Sequence, residues 1–256
     1  MALPSTVLPQ SKDEVSELTR SLSLLRGFRH EADNPGDFYR LLANDTVQQL
    51  RRYRPVVGTL AVDIGGGPGY VADAFDDAGA RCLVVDSAPA ELVLHGRRAR
   101  HAVVADGCHL PVADKAVDIS VSSNVIEHVR EPQKLLAEMI RVIKPGGLVW
   151  LSFTNWYSPW GGHETSPWHY LGGDRAARRY GSRYGQRPKN CYGINLFPLH
   201  IKTVLSWAKS WPGVELLDAY PRYYPSWAKG ILIVPGLREV ATWNMALVLK
   251  RLSGTG

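Results

Sequence analysis

The stretch Val62-Asp63-Ile64-Gly65-Gly66-Gly67-Pro68-Gly69-Tyr70 decides the fold. A short apolar run, Leu60 to Ile64, ends in glycines and is followed by a segment with helical character, Val71 to Ala78. This order predicts a buried strand, a tight turn and the start of a helix, an arrangement in which backbone N–H groups face a bound ligand. Glycine in the turn leaves no Cβ between the backbone and that ligand.

Two classes of ligand suit such a turn. The dinucleotide fingerprint requires G-x-G-x-x-G, and Tyr70 stands at the third glycine position, so binding of NAD is disfavoured. The pattern D-x-G-x-G-x-G is complete instead, through Asp63, Gly65, Gly67 and Gly69. In this form the segment resembles the first motif of the class I S-adenosylmethionine (SAM) dependent methyltransferases. The resemblance implies that these four residues help to hold SAM as the cofactor.

Apolar runs alternate with helical segments after the glycine turn. Short loops join them, and this alternation predicts a parallel sheet covered by helices on both faces. We therefore expect an α/β, doubly wound, Rossmann-like sheet of seven strands, the last of them antiparallel. The predicted strands are Leu60–Ile64, Arg81–Val85, Ala102–Ala105, Val117–Val121, Leu148–Phe153, Val214–Ala219 and Trp243–Leu249. The predicted helices that follow the glycine turn include Ala90–Arg97, Pro132–Ile143 and Leu199–Ser210.

The expected organisation is a single methyltransferase domain over residues 1–256. An N-terminal helical lid (1–55) precedes a SAM-binding core (56–154), and two substrate-cap insertions (155–200 and 221–242) follow. In the resembled family such helices pack over cofactor and substrate, which makes Phe38, Tyr39 and Arg40 candidate lid residues. The alternative is a solvated helix with one packed face.

Polar residues follow the predicted second, third and fourth strands. Asp86 and Ser87 stand about 20 residues beyond the glycine turn, where an acid accepts hydrogen bonds from ribose hydroxyls. Asp106 suits the adenine amino group, with Gly107 beside the base, and Asn124 falls near the methionine moiety. Because ligands bind outside the carboxyl ends of parallel strands, these residues are predicted to bind the cofactor together.

The resemblance extends over residues 61–153. The segments that carry it are LVVDSAP, ADGCHLPVADKAVDIS, SSNVIEHV and RVIKPGGLVWLSF. One branch of the family has E-x-x-E-H at the third of these and binds a divalent metal there. Here Asn124 replaces the first acid before Glu127 and His128, which removes a charge and a ligand from a hard-metal site. No metal is therefore expected.

Aromatic residues are concentrated late in the chain. All eight tryptophans lie at or after Trp150, and the first insertion is too aromatic for a disordered linker. It follows the strand whose end faces the methyl group, which predicts a substrate-binding segment with His163, Glu164 and His169 as catalytic candidates. The alternative is a structural loop whose histidines cap backbone groups.

The second insertion carries an apolar run, 231–234, flanked by Trp227, Lys229 and Arg238. This composition is typical of an interfacial membrane patch, and equally of a cap packed against the first insertion. Together with the late aromatics, it favours an amphipathic acceptor.

The net charge, the cysteines and the N-terminal sequence indicate which partners and which cellular compartment to expect. A net charge of +6 favours an acidic partner. Nucleic acid is disfavoured, because Ser122-Ser123-Asn124-Val125 is not the N-P-P-Y type segment used in amino-group base methylation. Three dispersed cysteines fit a reducing cytoplasm, and the N-terminus lacks the pattern of a signal peptide. We expect a cytoplasmic protein, with peripheral contact at the inner face of the membrane as an option.

Across both insertions, segments similar to GGHETSPWHYLGG and KNCYGINLF also identify a group of mostly uncharacterised actinobacterial methyltransferases. The predicted function is transfer of a methyl group from SAM to an oxygen or nitrogen of a small-molecule or lipid-linked acceptor, such as a cell-envelope glycolipid. The alternatives are a methyltransferase of RNA or of a natural product, and a non-catalytic SAM-binding regulatory protein. Oligomeric state does not follow from the sequence.

Overall fold

The computed structural model describes residues 14–31 and 33–254. Within them the chain forms a seven-stranded sheet in the order β3-β2-β1-β4-β5-β7-β6. The strands are β1 Leu60–Ile64, β2 Arg81–Asp86, β3 Ala102–Val104, β4 Val117–Ser123, β5 Ile143–Thr154, β6 Val214–Pro221 and β7 Asn244–Arg251. The first five pair in parallel, and β7 runs antiparallel to both β5 and β6. The predicted doubly wound fold, with its antiparallel last strand, is confirmed.

The α-helices of the described ranges are α1 Glu14–Arg29, α2 Pro35–Leu50, α3 Tyr70–Asp77, α4 Pro132–Val142, α5 Gly173–Tyr184, α6 Ile201–Ser210 and α7 Leu237–Ala241. Short 3-10 helices lie at Glu91–Val93, Ile126–His128, His163–Thr165, Trp168–Leu171 and Ser226–Ile233. None of the helices within residues 14–31 and 33–254 is long and apolar enough to cross a membrane.

Two elements differ from the prediction. The helix expected over Ala90–Arg97 is wrong: only Glu91–Val93 is helical, because His95 and Gly96 both adopt positive φ (54° and 67°), which an α-helix does not accept. The helix α5 lies inside the first insertion, where only an aromatic substrate-binding segment was expected.

Apolar side chains cover both faces of the sheet. Alternate residues of β1 point to opposite faces, so Val62 packs with α4 and α6 while Ala61 packs with α2 and α3. Leu135 of α4 and Phe75 of α3 are fully buried in these two layers. The helical cover on both sides leaves the carboxyl ends of the parallel strands as the place for a cavity.

The N-terminal helices join the core near those strand ends. Leu24 of α1, Phe38 and Leu42 of α2, and Tyr223 form a separate buried cluster. Residues 1–13 of the segment expected to form a lid lie outside the described residues.

Arg222, which follows β6, ties these helices to the sheet. Its guanidinium is fully buried and donates hydrogen bonds to Ser123 Oγ (2.9 Å), Ser152 Oγ (3.0 Å) and Thr46 Oγ1 (2.9 Å). It also lies 4.7 Å from the centre of the Trp150 ring. Burial lowers the pKa of Arg222, since a charged group is costly away from water. These bonds connect the carboxyl ends of β4 and β5 to α2.

Candidate active site

A cavity of about 570 Å³ opens at the carboxyl ends of β1, β4 and β5. This volume is within the range of small-molecule and cofactor sites. Its walls come from the glycine turn, the N-terminal helices, the turn after β4 and both late insertions. Elements far apart in sequence therefore meet at one site.

The glycine turn forms the polar end of the cavity. Gly65 and Gly67 line it with φ of 72° and 51°, the left-handed region that favours glycine. A Cβ on Gly65 would overlap the side chain of Val125. Gly69 begins α3 and does not line the cavity. The turn thus brings backbone, without side chains, to the cavity surface.

Asp63 lies beneath this turn and lines the cavity although it is 1% exposed. Its Oδ2 has no hydrogen-bond partner among the described residues. Burial, with a smaller contribution from the charge of Asp86, raises the pKa of its carboxyl to about 7. An unpartnered carboxylate is costly, so this group fits a ligand that brings a donor or a positive charge.

Asp86 stabilises the glycine turn and the loop after β2 by accepting hydrogen bonds from their backbone. Its carboxylate accepts a hydrogen bond from Gly67 N–H (3.1 Å) and another from Ala88 N–H (2.9 Å). Asp86 is buried, Ser87 is exposed, and neither lines the cavity. Asp86 therefore orders the backbone that faces the ligand.

The structure does not bring Asp106 and Gly107 to the cavity wall. Asp106 is exposed and bonds to Cys108 N–H (2.8 Å) and His109 Nδ1 (2.9 Å), contacts that lower the pKa of its carboxyl. Gly107 packs against Leu135 and Ile64. The reason is topological, because β3 is the edge strand, two positions away from β1.

Asn124 lies at the end of β4 and lines the cavity beside Ser123. Its φ is 58°, and its Oδ1 accepts hydrogen bonds from Asn244 Nδ2 (2.7 Å) and, at 3.4 Å, from Ser152 Oγ. The side chain is therefore held in one orientation at the cavity floor.

Two of the three predicted catalytic residues line the cavity. His163 does so with its Nε2 buried and without a partner in the described chain. Burial, with smaller contributions from the nearby His128 and His169, lowers its pKa to about 3, so the imidazole is neutral. Glu164 is exposed at the wall and accepts a hydrogen bond from Asn190 Nδ2 (2.9 Å).

The third candidate, His169, is buried in the insertion and does not line the cavity. Its ring packs edge-on against Trp156, with centroids 5.3 Å apart. Its Nδ1 lies 3.3 Å from Ser166 Oγ. The structure thus places His169 in the packing of the first insertion, away from the expected reaction centre.

Among the expected lid residues, Phe38 and Tyr39 line the cavity. Arg40 does not, because it is exposed and pairs with Asp37 at 2.9 Å.

Comparison with known proteins identifies the family. The "Methyltransferase domain" family model matches residues 62–151. An uncharacterised methyltransferase of Mycolicibacterium gilvum (strain PYR-GCK) is 48% identical over 243 residues, covering 91% of this chain and 94% of that one. A second, from Mycobacterium leprae (strain TN), is 49% identical and covers 91% and 90%. The chain belongs to this methyltransferase family. The resemblance predicted from the glycine turn is confirmed.

Solved structures share the fold at low identity. A SAM-dependent methyltransferase from Mesorhizobium loti has a TM-score of 0.55 at 18% identity, covering 81% of this chain and 98% of that one. A complex of the Haloferax volcanii Trm112 methyltransferase activator with a putative methyltransferase has a TM-score of 0.53 at 18% identity, covering 95% and 100%.

Tyr39 of this methyltransferase, a predicted lid residue, belongs to an aromatic wall whose other members were not predicted from the sequence. Tyr39 stacks on Tyr70 (5.9 Å) and on His95 (6.0 Å), and its hydroxyl donates to Glu31 (3.0 Å). Burial raises the pKa of Tyr39 well above its usual value. Glu91, in the turn after β2, is a further unpredicted lining residue. No local pattern marks this aromatic contact, since helix α2, helix α3 and the loop that carries His95 meet only in three dimensions.

The other end of the cavity is apolar and comes from the late half of the chain and from α1. Trp160 packs against Trp243 (4.4 Å between ring centroids) and against Phe28 of α1 (4.9 Å). Tyr223 adds a tilted contact with Phe28 (5.8 Å). The cavity therefore has a polar end at the glycine turn and an aromatic end at the insertions.

The apolar run of the second insertion is exposed only at its end, because Leu232 within it is buried in the core. Trp227 is 75% exposed, and Ile233 and Val234 are exposed beside it. The flanking cations are paired with acids, because Lys229 pairs with Asp218 and Arg238 lies 3.4 Å from Glu239.

Proposed function

We propose that the protein transfers a methyl group from SAM to an oxygen or nitrogen of an amphipathic acceptor that is small or lipid-linked. SAM follows as the donor from the family. The observation that carries the proposal is the two-ended cavity, whose glycine turn and aromatic cluster are continuous with each other. A purely regulatory SAM-binding protein would need only the polar end, because it has no acceptor to place at the aromatic end.

The polar end fits the cofactor. When bound, SAM supplies a methyl group on a positively charged sulfur. The backbone of Gly65 and Gly67 would approach it closely, and the unpartnered Oδ2 of Asp63 offers an acceptor for its ammonium group. Asp86 would act indirectly, by holding the glycine turn that contacts the cofactor. Asn124 would lie near the methionine moiety.

The aromatic end fits the acceptor. Aromatic rings supply apolar area, while Thr154 and Asn244 place polar groups beside them on the cavity wall. The leaving thioether is neutral, so much of the catalysis is alignment of the acceptor atom with the methyl group at near-attack distance. Of the three predicted catalytic residues, Glu164 both lines the cavity and is exposed, which allows it to pass a proton to solvent. His163, with a pKa of about 3, is a poor proton acceptor.

A membrane-linked acceptor is supported by the exposed apolar residues of the second insertion, Trp227, Ile233 and Val234. Tyr223 and Trp243, near the two ends of residues 221–242, line the cavity or pack within its aromatic end, and Trp227 and Ile233 between them are exposed. A lipid held at this surface would lie near the acceptor end. The net charge of +6 adds attraction to an anionic bilayer.

The test uses SAM carrying a radiolabelled methyl group, with lipid and aqueous fractions from an extract of the host. We expect labelled product in the lipid fraction, and much less of it with the Asp86→Ala variant when SAM is limiting. Label only in fully polar products, or only in RNA, would overturn the amphipathic acceptor.

Flotation with anionic liposomes tests the surface separately. The wild type should float with the vesicles, and Trp227→Ser should float less. Equal flotation of the two proteins, or none of the wild type, would remove the membrane contact from the proposal.

A further inference from the structure

Three potential metal ligands meet beside the acceptor end of the cavity: Glu127, His128 and His163. Glu127 and His128 belong to the 3-10 turn after β4, and His163 begins the 3-10 turn of the first insertion. One ligand atom from each lies within 4.8 Å of the other two. The side chains of His128 and His163 line the cavity, with ring centroids 4.9 Å apart.

Two atoms of this cluster are buried without a partner in the described chain. They are Oε2 of Glu127 and Nε2 of His163. Glu127 is 1% exposed, so its carboxylate gains almost nothing from bulk solvent. Leaving such groups unpaired costs about 1–3 kcal/mol each, and more for a charged one. Two unpaired groups at one place indicate a shared ligand.

The remaining contacts leave a free ligand atom on two of these side chains, Glu127 and His128. The N–H of Thr154 holds Oε1 of Glu127 at 2.8 Å, which leaves Oε2 free. His128 Nδ1 lies 2.8 Å from the carbonyl oxygen of Asn195, so Nδ1 carries the proton and donates. The lone pair of His128 is then on Nε2. Such outer hydrogen bonds are the contacts that fix tautomer and ring orientation in metal sites.

We propose that Glu127, His128 and His163 bind one divalent first-row transition metal ion at the cavity wall. Two imidazoles and a carboxylate suit Zn²⁺, and three protein ligands leave a fourth position open. The earlier expectation of no metal considered only residues 124–128. His163, from the insertion, supplies a third ligand in place of the acid that Asn124 replaces.

The open position gives the ion a role that rests on the proposed function. A hydroxyl of the acceptor would occupy it and lose its proton through Glu164 to solvent, since a bound cation lowers the pKa of a coordinated hydroxyl. The oxygen then forms a bond to the methyl carbon while the carbon–sulfur bond breaks. The electron pair of that bond stays on sulfur, which leaves neutral S-adenosylhomocysteine. This arrangement selects an acceptor with a hydroxyl.

Calorimetric titration of the chelator-treated full-length protein with ZnCl₂ tests the site. The wild type should bind one equivalent, and Glu127→Gln, His128→Ala and His163→Ala should each bind about 100-fold more weakly or not at all. His101→Ala is the matched control, because His101 is exposed and outside the cluster, and it should bind as the wild type does. Circular dichroism and binding of S-adenosylhomocysteine check that each variant is folded.

Several results would overturn the site. The first is that the wild type does not bind Zn²⁺ stoichiometrically. The second is that folded variants of all three ligands bind Zn²⁺ as tightly as the wild type does. The third is that the His101→Ala control loses as much Zn²⁺ affinity as the ligand variants do. Binding that disappears with the ligands supports the site whether or not turnover is found. Failure to methylate any acceptor while S-adenosylhomocysteine binds counts against the proposed function alone. Full turnover by the metal-free protein would overturn the role of the ion in the transfer.

Discussion

Asp86 provides a quantitative test of how the glycine turn holds the cofactor. Its carboxylate accepts hydrogen bonds from Gly67 N–H at 3.1 Å and from Ala88 N–H at 2.9 Å, and it is buried. Each charge-assisted bond contributes about 1.5–3 kcal/mol, and water that enters the space left by Asp86→Ala recovers part of that. We expect a net loss of about 2–3 kcal/mol in binding, or roughly 30- to 150-fold in Kd for S-adenosylhomocysteine.

The assay is calorimetry with the Asp86→Ala and Asp106→Ala variants side by side. Each variant loses an aspartate near the end of a strand, and the two strands, β2 and β3, are neighbours in the sheet. The side chain of Asp106, however, is 61% exposed and lies outside the cavity. Loss of Asp106 should change the affinity by no more than about threefold. Wild-type affinity in Asp86→Ala, with its thermal stability retained, would refute the reasoning. If Asp106→Ala lost as much affinity for S-adenosylhomocysteine or more, that result would support the contact between Asp106 and adenine that the sequence predicts.

Three further predictions follow from the cavity. Gly65→Ala should weaken binding of S-adenosylhomocysteine by more than about 100-fold, because its Cβ overlaps Val125, whereas Gly146→Ala, at a similar φ of 76° but in open space, should bind normally in the same titration. The free energy of unfolding should fall as pH rises from about 4 to about 7, because the carboxyl of Asp63 has a pKa of about 7 in the fold against an ordinary value of 3.8 and its ionisation costs stability. Asp63→Asn should remove that fall in urea titrations across this range, and an unchanged slope would contradict the assignment. Trp160→Ala should lower turnover of the acceptor while affinity for S-adenosylhomocysteine stays within about threefold, and a matching loss of both would place Trp160 at the cofactor instead.

Features carried by short, periodic stretches could be predicted from the sequence. The run Leu60–Ile64 and the glycines after it place β1, the turn and α3 correctly, because burial and positive φ leave few other residues acceptable there. The antiparallel last strand was also expected correctly. These are local constraints together with the topology of parallel sheets.

Features that depend on packing between distant segments could not be predicted. Asp106 ends its strand as Asp86 does, yet β3 lies at the sheet edge and holds it away from the cavity. The sequence does not distinguish His163 from His169, since both are titratable residues of one insertion. Packing against neighbours that include Trp156 and Tyr170 buries His169. His163 lies close to Glu127 although the two are far apart in sequence, and no sequence spacing predicts that they meet.

A crystal structure with S-adenosylhomocysteine tests the central claim most directly. We expect the amino-acid moiety beside Asp63 and the glycine turn, with the sulfur directed toward the aromatic end near Trp160 and Trp243. A ligand bound outside this cavity, or a sulfur that points away from the aromatic end, would contradict it.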